Sequence, residues 1–160
     1  MITLKSEREL ALMREAGHIV ALAHEAVREA IKPGISTAEL DKIAYDVITS
    51  NGATPSFLNY NGYPATICAS VNEVVIHGKK NKKTILKDGD IISVDIGACY
   101  KGYHGDCAKT FFVGSVSEEK KKLVEVTTQS LYEGLKFARP GNRLSDISHA
   151  IEEYATKFGY

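Results

Sequence analysis

The chain contains the same pattern twice: an amphipathic helical segment, a Pro-Gly pair, a second helical segment and a closing glycine. The first copy has Pro33-Gly34 and Gly52, and the second has Pro140-Gly141 and Gly159. The offset is 107 positions throughout, and it aligns Leu40 with Ile147 and Ala44 with Ile151. Because a repeat determines architecture, this pattern predicts one complete unit followed by the helical hairpin of a second. The alternative is that two hairpins share ordinary stop and cap signals.

Apolar spacing predicts the elements of both units. Helical periodicity covers residues 6–32, 36–52, 117–139 and 145–159. Residues 53–113 change to strand-like segments, namely TICASV, DIISVDIG and HGDCAKTFFVG. We therefore expect an α+β chain in which residues 1–114 form two helices and then an antiparallel sheet. Residues 115–160 are expected to form a truncated helical hairpin that begins the second unit.

Composition and net charge limit the kinds of protein that this chain can be. The 160 residues include 20 Lys+Arg and 20 Asp+Glu, so the net charge is zero and direct nucleic-acid binding is not expected. The three cysteines are odd in number and form no C-x-x-C pair, which favours a reducing compartment. No apolar run is long enough to span a membrane. These features predict a soluble, cytoplasmic protein.

Two aspartates interrupt otherwise apolar strand segments, where a carboxylate costs free energy unless something pairs with it. They are Asp95 in DIISVDIG and Asp106 in HGDCAKTFFV. A tight turn centred on Lys101-Gly102 would place Asp106 opposite Gly97 and Asp95 opposite Ala108. Both carboxylates would then project from one face of the sheet as diagonal neighbours. A slip of one residue would place them on opposite faces.

A divalent cation between the two carboxylates would remove their repulsion and supply a Lewis acid. The sequence therefore favours a metal site at Asp95 and Asp106. The alternative is that each aspartate is simply solvated or hydrogen-bonded within its strand. Two carboxylates alone are a weak and unselective ligand set, so tight binding requires further His or Glu ligands.

Histidines differ in the roles that their positions suggest. His77 follows the apolar run of VNEVVIHG and is predicted at a strand end that enters a loop, where a proton-transfer or substrate role is plausible. An ordinary loop histidine is the alternative. His104 should share the face of Asp106 and could support it. The helical His18, His24 and His149 are expected to be partly buried or at the surface.

Other polar and aromatic residues have two interpretations each. Tyr60, Tyr63 and Cys68 could wall a small apolar pocket or merely pack the core. The lysine-rich run of residues 79–83 is expected to be a solvated loop, or otherwise a local basic patch.

Two sequence blocks resemble a known family. The segment SFLNYNGYPATICASVNEVVIHG and the later LKDGDIISVDIGACYKGYHGDCAKTFFVG are similar to the motif blocks of type I methionine aminopeptidases. These are metallopeptidases that remove the initiator methionine. The resemblance covers essentially the whole chain and implies the pita-bread fold, in which two pseudo-symmetric α/β halves enclose a dinuclear metal site. The 107-residue repeat is consistent with that symmetry.

The resemblance implies a role for each matching residue. Asp95 and Asp106 resemble two of the family's metal ligands, in a site that holds two divalent ions such as Co, Mn, Fe or Zn. His77 resembles a catalytic histidine that contacts substrate, and Tyr60, Tyr63 and Cys68 fall near the methionine pocket. Asn72 and Val74 resemble residues whose carbonyls bind a monovalent cation in some members. The implied partners are the N-termini of nascent polypeptides, reached at the ribosome.

The family's other ligands, a histidine and two glutamates, belong to the second half, and the sequence has no counterpart to them. The chain alone is therefore expected to bind metal weakly and to turn over little substrate unless a separate C-terminal half or self-association completes the site. A non-catalytic module or a homodimeric binding protein of the same fold is an alternative. A related peptidase that cleaves X-Pro bonds is another.

Overall fold

The computed structural model describes residues 3–160, which form two compact units. The first unit ends at Ser115 and contains α1 (Glu7–Ala30), α2 (Thr37–Ser50), β1 (Thr54–Pro55), a 3₁₀ turn (Tyr60–Gly62), β2 (Ile67–Val71), β3 (Ile91–Tyr100) and β4 (Tyr103–Phe112). The second, Val116–Tyr160, contains α3 (Glu118–Leu135) and α4 (Leu144–Lys157). Met1 and Ile2, which the sequence assigns to the first half, lie outside the described residues. Within that described part, no helix combines the length and apolar character needed to cross a membrane.

The first two helices begin where the capping signals predict. Ser6 accepts a hydrogen bond from the backbone N–H of Glu9, whose carboxylate accepts one from the N–H of Ser6 at 2.7 Å. Ser36 and Glu39 form the same reciprocal box at the start of α2. Each box satisfies two backbone donors that a helix leaves unpaired at its start.

The sheet is antiparallel, and β3 is its central strand. β4 pairs with β3 along its full length, while β2 and the short β1 pair with the other edge of β3. Alternate residues of β3 are fully buried in a core that also contains the apolar stripes of α1 and α2; these strand residues are Ile92, Val94, Ile96 and Ala98. The helices therefore cover one face of the sheet, and the odd-numbered residues of β3 belong to the other face.

The predicted strand register is confirmed. Asp95 pairs with Ala108 and Gly97 pairs with Asp106. Both central residues of the turn, Lys101 and Gly102, have positive φ, at 48° and 86°. Positive φ at both positions is the geometry of a two-residue hairpin turn that matches the twist of the strands. This turn therefore sets the register that places both aspartates on the uncovered face.

The prediction of a strand end before His77 is wrong. β2 ends at Val71, and the apolar run that follows lies in an exposed loop, where Val75 is 84% exposed. Asn72 turns the chain with a φ of 50°, and its side chain accepts a hydrogen bond from Ile91 N–H at 3.1 Å. Left-handed backbone of this kind ends a strand, so the strand propensity of the valines is overridden.

The second unit is a helical hairpin. Ser117 caps α3 by accepting a hydrogen bond from Lys120 N–H at 3.3 Å. The helices approach closely at Gly134, where a Cβ atom would lie 2.7 Å from Cγ1 of Ile151. Glycine at this position therefore allows α3 and α4 to pack at short range.

Candidate metal and substrate site

Three strands bring the polar residues of the site together on the uncovered face. Asp95 lies in the central strand β3, and Asp106 lies in β4 opposite Gly97, two residue pairs along from Asp95. Cys68 of β2 is directly opposite Asp95 on its other side. Because Asp95 is opposite Ala108 and Asp106 is opposite Gly97, the two carboxylates are diagonal neighbours on one face of the sheet.

Asp95 lies in an unfavourable environment for an isolated carboxylate. Its Oδ1 atom is shielded from solvent and has no hydrogen-bond partner among the described residues. Burial, followed by the nearby Asp106 carboxylate, raises the pKa of Asp95, and His77 partly offsets that effect. A buried, unsatisfied oxygen beside a second carboxylate is the donor arrangement that a hard divalent cation would satisfy. The residues present therefore fit a metal ion.

The ligand set within the described chain is small. Residues 3–160 contain no group of three or more His, Cys, Asp or Glu side chains positioned to hold a metal. Cys68 is a poor additional ligand, because burial raises the pKa of its thiol and Asp95 adds to that effect. Metal ligation requires the thiolate. Asp95 and Asp106 are thus the two candidate ligands of this part of the chain.

The loop that carries His77 is attached to β2 by Gly78. The carbonyl of Gly78 accepts hydrogen bonds from Ala69 N–H at 2.8 Å and from the Tyr63 hydroxyl at 3.0 Å. Its N–H donates to the Ser70 hydroxyl at 3.1 Å. A Cβ atom on Gly78 would lie 2.1 Å from the carbonyl oxygen of Ala69, so only glycine fits. This attachment holds His77, with a φ of 57°, beside the two aspartates.

A cavity of about 570 Å³ opens above the aspartates. The six residues predicted from the sequence all line it; they are Tyr60, Tyr63, Cys68, His77, Asp95 and Asp106. The aromatic rings and the thiol contribute apolar surface to the cavity, and the acidic pair and the imidazole contribute polar groups. A cavity that is mostly apolar and contains a few polar groups is typical of a site that binds a small molecule or the end of a peptide.

Tyr63 is fixed rather than reactive. Its hydroxyl donates to the carbonyls of Gly78 and of Ile67, at 3.0 and 3.1 Å. Burial, together with Cys68, raises the pKa of the phenol. Tyr63 therefore remains neutral and joins the turn before β2 to the His77 loop.

Sequence reasoning missed four lining residues, namely Phe57, Asn61, Gly62 and Lys79. The ring of Phe57 lies over Gly97, where a Cβ atom would be 2.6 Å from Cε1 of the ring. A glycine in the middle of a β-strand is a signal for such a close approach. Lys79 belongs to the run expected to be a solvated loop, and the four lysines of that run are exposed as expected. Lys79 also lines the cavity, and its neighbour Lys80 pairs with buried Asp41 at 2.7 Å.

The remaining histidines take different positions. His104 is exposed and shares the face of Asp106, as its spacing predicts, and its Nδ1 lies 2.9 Å from the Ser56 hydroxyl. His24 differs from the expectation of a partly buried or surface side chain, because it is only 1% exposed. Its Nε2 lies 2.9 Å from the carbonyl of Cys107, on the covered side of β4. His18 and His149 are exposed, as the surface alternative predicts.

Comparison with known proteins identifies the family of the chain. The sequence profile of Metallopeptidase family M24 matches residues 11–160. Methionine aminopeptidase 1 of Bacillus subtilis is 59% identical over 154 residues, which are 96% of this chain and 62% of the relative. The chain therefore spans less than two thirds of that relative's length.

Solved structures agree with the fold. The crystal structure of methionine aminopeptidase from Rickettsia prowazekii matches with a TM-score of 0.97 and 38% identity, over 100% of this chain and 64% of that one. An Xaa-Pro dipeptidase from Bacillus anthracis matches with a TM-score of 0.87 and 26% identity, over 98% of this chain and 42% of that one. These matches confirm the predicted pita-bread architecture and the predicted resemblance. With its two strand aspartates on the uncovered face of that fold, the chain belongs to Metallopeptidase family M24.

Proposed function

We propose that this chain forms the N-terminal portion of a methionine aminopeptidase and supplies part of its metal and substrate site. The observation that carries the proposal is the placement of Asp95 and Asp106 as diagonal neighbours on one face of the sheet, where both line a cavity that also contains aromatic residues. Relatives named methionine aminopeptidase have 59% and 51% identity to the chain, well above the 26% of the Xaa-Pro dipeptidase. That difference favours the methionine-specific branch.

Asp95 and Asp106 would hold the divalent ions, because their carboxylate oxygens converge and Oδ1 of Asp95 has no other partner. Metal bound there supplies a Lewis acid for the scissile carbonyl and for an attacking water. Two carboxylates select weakly among divalent ions, so Co, Mn, Fe and Zn are all candidates. The family's three further ligands would come from the second half.

The chain's own residues bind and orient the substrate. The rings of Tyr60 and Tyr63 and the neutral thiol of Cys68 offer an apolar wall to an unbranched methionine side chain. His77 is held beside Asp95 by the Gly78 attachment, where its imidazole can donate a hydrogen bond to the substrate carbonyl.

A monovalent cation site is proposed at the carbonyls of Asn72 and Val74. The support is local: Asn72 has left-handed backbone at the loop entry, and Val74 N–H donates to the carbonyl of Val71 at 3.1 Å. We further propose that the complete protein acts in the cytoplasm on the N-termini of nascent polypeptides, near the ribosome. The absence of a C-x-x-C pair and the zero net charge are compatible with that location.

A chimera tests the proposal directly. The chain is continued by the segment of the Bacillus subtilis relative that extends beyond their match, and hydrolysis of a Met-Gly-type peptide is measured with Mn(II) or Co(II). We expect the chimera to release methionine and the 160-residue chain alone to release little. The matched D95N chimera should lose most of the activity. A metal-loaded chimera that folds but releases no methionine would overturn the proposal, and release of X-Pro products instead would favour the alternative branch.

A further inference from the structure

We propose that Lys79 is a specificity residue of the substrate site, and that it favours peptides carrying a carboxylate within the first few residues after the methionine. This inference rests on the proposed function, and it concerns the part of the substrate that leaves the cavity. Lys79 lines the same cavity as His77, Asp95 and Asp106. Among the cavity's lining residues, it is the only lysine or arginine.

The backbone of Lys79 is fixed on both sides. The preceding residue, Gly78, makes three hydrogen bonds to β2 and to Tyr63. The following residue, Lys80, donates to the carboxylate of Asp41 at 2.7 Å, and that carboxylate is only 4% exposed. Because both neighbouring residues are held in place, the backbone of Lys79 has a defined position. Less conformational entropy is therefore lost when its side chain binds a ligand.

The ammonium group of Lys79 has no carboxylate partner among residues 3–160, unlike that of Lys80. Its charge is therefore available to a ligand. Asp95 and Asp106 would attract the ammonium as well, but metal ions bound between them would remove that attraction. The ammonium group of Lys79 would then be available to the peptide substrate instead of to the two aspartates.

The path of a bound peptide past Lys79 explains why acidic peptides would be preferred as substrates. With the methionine side chain against the aromatic residues and the scissile bond beside the metal-binding aspartates, the residues that follow would leave the cavity past His77 and Lys79, which both line it. A carboxylate on one of these residues meets a lone, partly solvated ammonium. Such a pair is worth a few tenths of a kcal/mol to about 1 kcal/mol, which is a preference of about two- to fivefold.

The test uses four amidated peptides, Met-Gly-Glu-Gly, Met-Gly-Gly-Glu and their glutamine counterparts, titrated into the 160-residue chain in the presence of excess Zn(II), which is diamagnetic. Dissociation constants are read from the shifts of backbone amide resonances in ¹⁵N-labelled protein. We expect glutamate peptides to bind about two- to fivefold more tightly than glutamine peptides at low ionic strength, and the difference to vanish at high salt. An unamidated Met-Gly-Gln peptide tests whether a terminal carboxylate serves equally well.

Three variants make the result specific. K79A should abolish the preference, K79R should retain it, and K79E should reverse it. K82A is the matched control, because Lys82 lies in the same loop outside the cavity, and it should keep the wild-type ratio. Equal binding of both peptide classes in the wild-type chain, with shifts at Cys68 and Gly78, would overturn this inference and leave the proposed function intact. Failure of every peptide to bind would also overturn this inference, whereas the proposed function is decided separately by the chimera.

Discussion

Gly105 of β4 lies directly against the backbone of Gly17 in α1. A Cβ atom on Gly105 would be 2.5 Å from the Gly17 nitrogen, whereas a Cβ atom on Gly17 would meet nothing within 4 Å. The two glycines therefore have different reasons to be present. Gly105 is required for the close approach of helix and sheet, and that approach supports the strand that carries Asp106 one residue later.

Alanine substitutions at these two positions should have opposite effects. G105A forces α1 away from β4 and should lower the free energy of unfolding by about 1–3 kcal/mol. G17A adds a methyl group to an open position inside a helix and should raise it by up to about 1 kcal/mol. Urea unfolding followed by circular dichroism measures both. A G105A protein as stable as the wild type would show that the helix does not depend on this contact.

Replacing Asp95 by asparagine should separate metal binding from stability. The new amide can donate to Asp106 and removes one of two repelling charges, so D95N should be more stable than wild type in EDTA by about 1 kcal/mol. Its affinity for Mn(II) should fall by more than about tenfold, because a carboxylate ligand is lost. Calorimetric titration measures the affinity, and chemical unfolding measures the stability.

The control for that experiment is D46N. Asp46 is an exposed residue of α2 paired with Lys42 at 2.7 Å. Its substitution should leave Mn(II) affinity unchanged and cost no more than about 0.5 kcal/mol. Stabilisation by D95N together with unchanged metal affinity would show that the aspartates repel each other without serving as ligands.

The register of β3 and β4 could be predicted from the sequence because it depends on the residues of one turn. A two-residue turn at Lys101-Gly102 permits only one pairing of β3 with β4, and strand parity then places Asp95 and Asp106 on one face. The capping boxes at Ser6 and Ser36 were local in the same way. Signals contained within a few residues can be read without knowing the tertiary structure.

Features that depend on distant segments were not predictable. The packing of Phe57 over Gly97 joins residues far apart in sequence, and so does the ion pair of Asp41 with Lys80. The apolar residues before His77 have strand propensity, but the turn at Asn72 and the attachment of Gly78 override it. The ion pair of Lys80 with Asp41 could be identified only from the structure, because it joins α2 to the loop that follows β2.

Asp41 should contribute more stability than any exposed ion pair of the chain. Its Oδ1 atom accepts hydrogen bonds from the N–H groups of Thr66 and Ile67 at 2.7 and 3.1 Å, while Oδ2 accepts from Lys80. D41A would leave two buried N–H groups and a half-buried ammonium unpaired, and should cost about 3–5 kcal/mol. Thermal and urea unfolding measure the loss.

Two matched variants show which part of the Asp41 interaction matters. K80A removes only the partner that is 38% exposed and should cost about 1 kcal/mol. D46A, on the same helix, breaks an exposed pair and should cost less than about 0.5 kcal/mol. If D41A and D46A are equally destabilising, the hydrogen bonds from Thr66 and Ile67 to Asp41 make no net contribution to the free energy of unfolding.

His24 should make stability depend on pH in the mildly acidic range. Burial is the main cause that lowers the pKa of its imidazole, so the unfolded chain takes up a proton more readily than the folded one. The contribution of neutral His24 is therefore complete above the unfolded pKa of about 6.5 and is lost as the pH falls below it, by at most about 1.4 kcal/mol per pH unit. Unfolding in urea between about pH 7.5 and 5.5 should show this slope in the wild type, a weaker slope in H24Q and an unchanged slope in H18Q, whose histidine is exposed on the same helix. Identical slopes in the wild type and H24Q would mean that the folded protein accommodates a charged imidazole beside the Cys107 carbonyl.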